Sequence, residues 1–416
     1  MKRWQIANYR QAFQFRSFRL FWLGFTVSVL GDAMTLTALT WFVYETTNSA
    51  KALGLLTLFY TGPVIFGGIL AGWLLDRFDR RHVILADSLI RGVVVAFIPL
   101  LYARGGLALW HVYAVAAIYG TLMMIPLAGS PALVPDLVPR RYLDTANALE
   151  TLSFTLASVI GPPMAGLLIA RVGAPNVVIV DALTYFAFAL VMIYVKLPKK
   201  ETMLPSVANT TYRLKDALQL LIQNKILLST TLMFMTYNLG LGLMLVWLPI
   251  YADRVLGGNA ELYGILLGFI AAGEVISSIL VGGLIFSLSL GVLICLSQFL
   301  AGVSLSLLLF KHDIWWAVLS LALFGLFQAP LTIWAQTLRM KIIPEQLRGR
   351  TFALLRTLMQ SASPVGGIIA GFLLPVVGIF AMISLSAGLM GTPGVLGYRV
   401  RDLRLEDKTP VENPIY

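Results

Sequence analysis

Two carboxyl groups stand where carboxyl groups are costly. Asp32 is the sole acid of an apolar stretch running from about Phe18 to Tyr44, and Glu274 lies at similar depth in another, about 262–286. Stretches of that length cross a bilayer. A charged side chain near the midplane costs roughly 2.5–3.5 kcal/mol on insertion scales. A chain keeps such a group where it meets a partner or a wet cavity, and a carboxyl there can take up and release a proton. The chemistry on offer at Asp32 and Glu274 is therefore proton exchange linked to the passage of something across a membrane.

Other residues extend that chemistry. Asp87 and Arg91 are four apart and share one helix face, which suits a structural ion pair. Met34, Trp41, Met123, Tyr237, Trp247, Phe327 and Trp334, with the amides Asn238 and Gln328, fall at depths that suit the lining of a midplane cavity. Such a lining fits bulky apolar small molecules, through adaptable packing and cation–π contacts. Asp181, toward the outer end of its stretch, is expected to be hydrated. His82, His111 and His312 are scattered near helix ends, so no metal site is expected, and no nucleotide-binding loop or other cofactor motif is visible.

These residues need helices to hold them. The 416 residues are 58% hydrophobic and 12% charged, with a mean hydropathy of +0.83. Recurring apolar runs of that length indicate an all-α polytopic membrane protein, whereas a barrel would show short alternating segments. The net charge of +11 does not indicate nucleic-acid binding, because the cations sit in short gaps between apolar runs. Cys295, the one cysteine, excludes an internal disulfide. The polar, basic first 17 residues argue against a cleavable signal peptide.

Twelve spans are expected, near 18–44, 53–75, 83–103, 107–134, 148–170, 175–195, 226–250, 262–286, 288–310, 314–338, 352–374 and 377–398. One set of gaps, with the two ends of the chain, carries 24 of the 31 Lys and Arg residues. The positive-inside rule then places both termini in the cytoplasm. The longest gap divides the chain into a six-helix bundle at 1–195, a cytoplasmic linker at 196–225, a second bundle at 226–400 and a tail at 401–416. The halves repeat. A shift of 206 aligns Arg19 with Lys225, Asp32 with Asn238 and Trp41 with Trp247. A shift of 205 aligns Pro139 with Pro344, Ala148 with Ala353, Gly161 with Gly366 and Gly166 with Gly371. The near-constant offset argues for duplication.

The gap after the second span reads Gly68-Ile-Leu-Ala-Gly72-Trp-Leu-Leu-Asp76-Arg77-Phe-Asp79-Arg80-Arg81. This resembles the G-x-L-A-G/D-x-x-x-D-R-x-G-R-R signature of the major facilitator superfamily, with Asp79 in place of a glycine. Gly68 and Gly72 are expected to form a close-packing face. The resemblance implies that Asp76 latches onto the start of the eleventh span, around Arg350–Ala353, at a cytoplasmic gate. A helix amino terminus attracts an anion there, and Arg77 and Arg80 would reach Asp136. The corresponding stretch of the second half, Gly282–Gly291, carries no charge.

Gly161-Pro162-Pro163-Met-Ala-Gly166 in the fifth span is similar to a helix-bending glycine-proline motif of the family's antiporters, and Ser363-Pro364-Val-Gly366-Gly367 echoes it. In Ser28-Val-Leu-Gly31-Asp32, in the Asp76-Arg77-Phe-Asp79-Arg80-Arg81 variant and in the lack of an arginine within the fourth span, the chain resembles the drug and macrolide efflux branch. The resemblance implies a monomeric, proton-coupled exporter of bulky lipophilic molecules in the cell membrane, acting by alternating access on a small-molecule substrate. A transporter of a metabolite, siderophore or lipid on the same fold is the nearest alternative. A membrane-embedded enzyme or a receptor would need a nucleophile cluster, metal set or signalling domain that the sequence does not show.

Overall fold

Prolines and polar caps decide where the helices of this chain start, break and stop. The computed structural model describes residues 11–196, 214–284 and 288–405. Among them are twelve helices long and apolar enough to cross a membrane, and no strand. These are span 1 (Arg16–Thr47), span 2 (Ala50–Arg77), span 3 (Arg80–Ala103), span 4 (Leu109–Leu137), span 5 (Arg140–Val172), span 6 (Ala174–Tyr194), span 7 (Lys225–Arg254), span 8 (Ala260–Gly283), span 9 (Leu290–Leu309), span 10 (Ile314–Ile342), span 11 (Arg348–Val377) and span 12 (Ile379–Arg399). Their outer faces are apolar: Ile69, Phe310, Trp315 and Val376 are each more than two-thirds exposed, at 74, 78, 79 and 81%. That surface suits lipid, not water.

Side-chain caps start six of the spans. Ser49, Asp79, Asn224, Asn259, Ser289 and Asp313 each accept a hydrogen bond from a backbone N–H of the first turn that follows, satisfying donors that a helix start leaves free. Asp79, the departure from the family signature, is thus the cap of span 3. Three spans are interrupted. Span 2 breaks at Gly62-Pro63, span 4 at Met123 and span 11 at Ser361. The breaks in spans 4 and 11 fall three residues before Pro126 and Pro364. A proline lacks the N–H that would bond four residues back and crowds that carbonyl. Span 8 stops at Gly283, short of the expected 286, where Gly282 and Gly283 are poor helix formers. The expected linker lies largely outside the described residues, except that Leu214–Gln223 is helical, as is Arg401–Leu405 at the start of the expected tail.

The chain forms two compact units, and the first holds spans 1–6 together with Gly257–Gly268. In it, span 1 packs on spans 5 and 6, span 3 on spans 4 and 6, and span 2 on span 4. A buried aromatic layer of Phe18, Phe21, Phe25 and Phe188 holds spans 1 and 6 together. The second unit holds span 7, the rest of span 8 and spans 9–12, with span 7 packed on spans 11 and 12 and span 9 on spans 10 and 12.

The units repeat each other contact by contact. Gly67 and Gly120 have no room for a Cβ where spans 2 and 4 cross, against Thr121 and Tyr60. Gly273 and Gly325 do the same where spans 8 and 10 cross, against Ala322 and Ile270. Gly161 abuts Ala33, and Gly366 abuts Leu239. The turns between spans 5 and 6 and between spans 11 and 12 each pivot on a glycine, Gly173 and Gly378, both at φ 80°, a left-handed conformation that favours glycine. These pairs keep the offset of 205–206 seen in the sequence.

The signature glycines do not act as expected. A Cβ on Gly72 would meet nothing within 4 Å, and one on Gly68 only Met124 at 3.9 Å. The close approach belongs to Gly67, one residue away, because one step along a helix turns the side chain by about 100°. The span 5 motif does pack closely. Its helix runs unbroken from Leu143 to Val172 through Pro162 and Pro163. Within the first unit, Gly264 and Gly268 seat against Pro162 and Pro163, and Gly166 seats against Ala260.

Candidate functional site: a buried carboxyl–arginine cluster

The helix crossings of the first unit bring four ionisable side chains to one place. Asp32 comes from span 1, Asp87 and Arg91 from span 3, and Asp181 from span 6. The expected pair is present. Arg91 Nη2 is 2.5 Å from Asp87 Oδ2, and Nε lies 3.1 and 3.2 Å from the two carboxylate oxygens. Arg91 does more than that pair requires. Its Nη1 donates to the Tyr185 hydroxyl at 2.6 Å and lies 3.5 Å from Asp32 Oδ1. Tyr185 in turn donates to Asp32 Oδ1. The guanidinium also lies over the rings of Tyr185 and Tyr119, at 4.4 and 5.7 Å from their centroids. Asp87 and Arg91 therefore belong to the Asp32 site.

Burial grades the three acids. The Asp32 side chain keeps 21% of its surface open, whereas Asp87 and Asp181 are sealed at 1 and 0%. The expectation that Asp181 is hydrated is thus corrected. Span 6 turns it inward against Gly31 of span 1, where a Cβ would collide with Asp181 Oδ1. The glycine preceding Asp32 is there for Asp181. Tyr60 and Tyr119 stack at 5.5 Å beside the cluster, and the Tyr60 hydroxyl points to Met123 Sδ at 3.7 Å. A half-buried cavity candidate, Met123, is thereby tied to the acid cluster.

Glu274 sits differently. It belongs to the second unit, is partly exposed, and has no ion-pair partner among the described residues. Tyr237, in the same unit, donates to Gln328 Oε1 at 2.9 Å. Asn238 is tied to its own helix through the Phe234 carbonyl. Of the expected cavity residues, Met123, Asn238, Phe327, Gln328 and Trp334 are half-buried. Met34, Trp41, Tyr237 and Trp247 are closed off inside the packing at 7% exposure or less. Trp41 stacks on Tyr263 at 6.0 Å, and the Trp247 indole donates to Ser386 at 3.0 Å. These large rings fill helix crossings, which is why sequence depth alone misplaces them in a lining.

At the end of the first unit that carries the signature loop, Arg80 lies 3.7 Å from Asp136 and donates to the Ala132 carbonyl at 2.6 Å. Arg77 instead stacks over Trp73 at 5.8 Å, and Asp76 is exposed. Arg81 fastens span 3 to span 6 through the carbonyls of Met192 and Ile193. Among the described residues no group of acids, histidines or cysteine is arranged to hold a metal ion.

A sequence profile described as Major Facilitator Superfamily matches residues 21–367. The chain belongs to that superfamily. It is a membrane transporter, not an enzyme. Among its relatives, Macrolide efflux protein A of Streptococcus pyogenes is 26% identical over 406 residues, covering 94% of this chain and 97% of the relative. The multidrug efflux pump Tap of Mycolicibacterium fortuitum is 24% identical over 405 residues, with 91 and 95% covered. The Staphyloferrin A transporter of Staphylococcus aureus is 25% identical over 312 residues, with 74 and 76% covered. In fold the chain is similar to the nucleoside transporter NupG, with a TM-score of 0.74 at 13% identity, covering 92% of this chain and 99% of that one. A fold does not by itself fix a function, which resides in the site it carries, so the acid cluster is where this transporter's own function is to be sought.

Proposed function

We propose that this transporter exports bulky lipophilic small molecules, cationic ones included, in exchange for protons, by alternating access about a midplane site. The observation that carries the reading is the Asp32 carboxyl, partly open and bridged to Arg91 and Tyr185, in a chain similar over nearly its whole length to macrolide and multidrug efflux proteins. Asp32 exchanges the coupled proton, and Glu274 does so in the second unit or selects cationic substrates. Substrate binds best to the deprotonated site, and protonation favours the opposite face. Only such a difference between states can drive the cycle. The protein acts as a monomer in the cell membrane with both termini cytoplasmic, as the Lys and Arg distribution supports. Asp76 latches onto the first turn of span 11 when the cytoplasmic side is closed.

A second reading rests on a specific likeness. The Staphyloferrin A transporter points to a siderophore as the cargo. Flux in proteoliposomes decides between them. Uptake of a macrolide or lipophilic cation that collapses with the proton gradient is expected, whereas gradient-driven flux of a siderophore alone would replace the first reading.

A further inference from the structure

The first unit's cluster has three carboxyl groups and a single guanidinium, and the guanidinium is unevenly shared. Arg91 gives Nε and Nη2 to Asp87 and turns Nη1 toward Tyr185 and Asp32. Asp181 receives no hydrogen bond from it and makes no ion pair among the described residues. The residue is 0% exposed, and Oδ2 has no hydrogen-bond partner. Oδ1 accepts only from Thr184 Oγ1, at 3.3 Å. Thr35 Oγ1, itself 1% exposed, faces the carboxyl closely enough to interact yet makes no bond of regular geometry.

An ionised carboxylate with a bare oxygen in an apolar interior is far costlier than the neutral acid. The groups that act on Asp181 are Asp32 and Thr35 on span 1, Tyr60 on span 2, Arg91 on span 3, Tyr119 on span 4, and Thr184 and Tyr185 on its own helix. Arg91 is the one cation among them, and its N–H groups are turned to Asp87, Tyr185 and Asp32. Asp87 is paired with Arg91. We propose that Asp181 is a second proton-binding site of this transporter, sealed behind Asp32, and that the two carboxyls share one proton. When Asp181 holds it, Asp32 is ionised beside Arg91. When it passes to Asp32, Asp181 becomes the carboxylate, and the charge of the cluster is unchanged. Asp32, the partly open member, exchanges with water. The use of this proton in transport rests on the proton-driven reading above, but its presence does not.

Infrared spectroscopy of the purified transporter tests the site, and proteoliposome flux tests its use. At neutral pH the wild type should show the carbonyl band of a protonated, non-hydrated carboxylic acid. The band should vanish in Asp181→Asn and persist in Asp32→Asn. If Asp181→Asn does not yield folded protein, Thr35→Val reads the same group. Removing the hydroxyl should shift the band when Asp181 owns it. Absence of the band from the wild type, its survival in Asp181→Asn, or its indifference to Thr35→Val overturns the proposal. In flux, Asp181→Asn should move the pH profile by about one unit, a tenfold change in proton concentration. Wild-type flux indifferent to the proton gradient, with the band still lost in Asp181→Asn, would remove the coupling reading and leave the proton site standing.

Discussion

The same address in the two units holds opposite chemistry. Asp181 and Ser386 lie 205 residues apart on spans 6 and 12, at equivalent distances from the pivots Gly173 and Gly378. In the first unit the address carries a sealed acid next to a tyrosine–arginine–carboxyl network. In the second it carries a hydroxyl that takes the hydrogen bond of Trp247, and Met390 stands where Tyr185 would be. Asn238 likewise takes the aligned place of Asp32. The helix crossings are conserved between the units while the polar contents are not. The glycine contacts thus recur in both units, while the buried carboxyl–arginine network stands in the first. The second keeps one membrane-depth acid of its own, Glu274, on a helix whose counterpart in the first unit carries none at that depth.

The sharpest way to break this comparison is to remove the cation from each unit. Arg91→Met leaves Asp87 sealed and without its partner, and breaking a buried pair costs roughly 3–5 kcal/mol. Arg339 of the second unit is also buried, at 4% exposure, but has no carboxylate partner among the described residues. It lies over the Phe234 ring at 4.6 Å and bonds the Thr230 carbonyl at 3.4 Å. Arg339→Met should cost about 1–2 kcal/mol, the value of a cation–π contact and a hydrogen bond. Thermal unfolding in one detergent compares the two. Equal losses would mean that the first unit's network is no more than packing.

Asp32→Asn comes next. The amide keeps the shape and can still accept from Tyr185, so folding should survive, yet it cannot titrate. Gradient-driven flux should vanish while the protein remains monodisperse. Flux at the wild-type rate would end the assignment. Glu274→Gln should do less. It leaves flux in place but alters the pH profile or the preference for cationic over neutral substrates. If both are unchanged, the comparison sharpens to one in which only the first unit couples protons.

The sequence disclosed the fold because hydropathy sums over some twenty residues and tolerates local error. It disclosed Asp87 with Arg91 because a spacing of four needs only one helix. It did not disclose that Arg91 reaches Asp32, since that depends on how spans 1, 3 and 6 rotate against one another. The same blindness to rotation assigned close packing to Gly68 and Gly72 when Gly67 makes it, and left Asp181 in water when span 6 faces it inward. One signal was available. Gly31, directly before Asp32, marks a close approach to whatever lies opposite, and an acid at matching depth on a neighbouring span is the natural candidate.

The smallest expected effect concerns the end of the first unit where the signature loop lies, a feature that the second unit lacks. Gly282–Gly291 has no charge to answer Asp76, so a latch built from Asp76 acts from one side only. If Asp76 bonds the first turn of span 11 solely when the cytoplasmic side is closed, Asp76→Asn loses a charge–dipole term worth about 0.3–1 kcal/mol at an exposed site. At about 1.4 kcal/mol per factor of ten, this moves the balance of the two states about two- to fivefold. Spin-label distances across the cytoplasmic gate, between the loops joining spans 2 and 3 and spans 10 and 11, should then lengthen, and those across the outer gate should shorten in step. High salt should shrink the difference, because exposed charges are screened. Identical distributions in mutant and wild type, in the same lipid and at the same pH, would return Asp76 and its basic neighbours to the task of fixing topology.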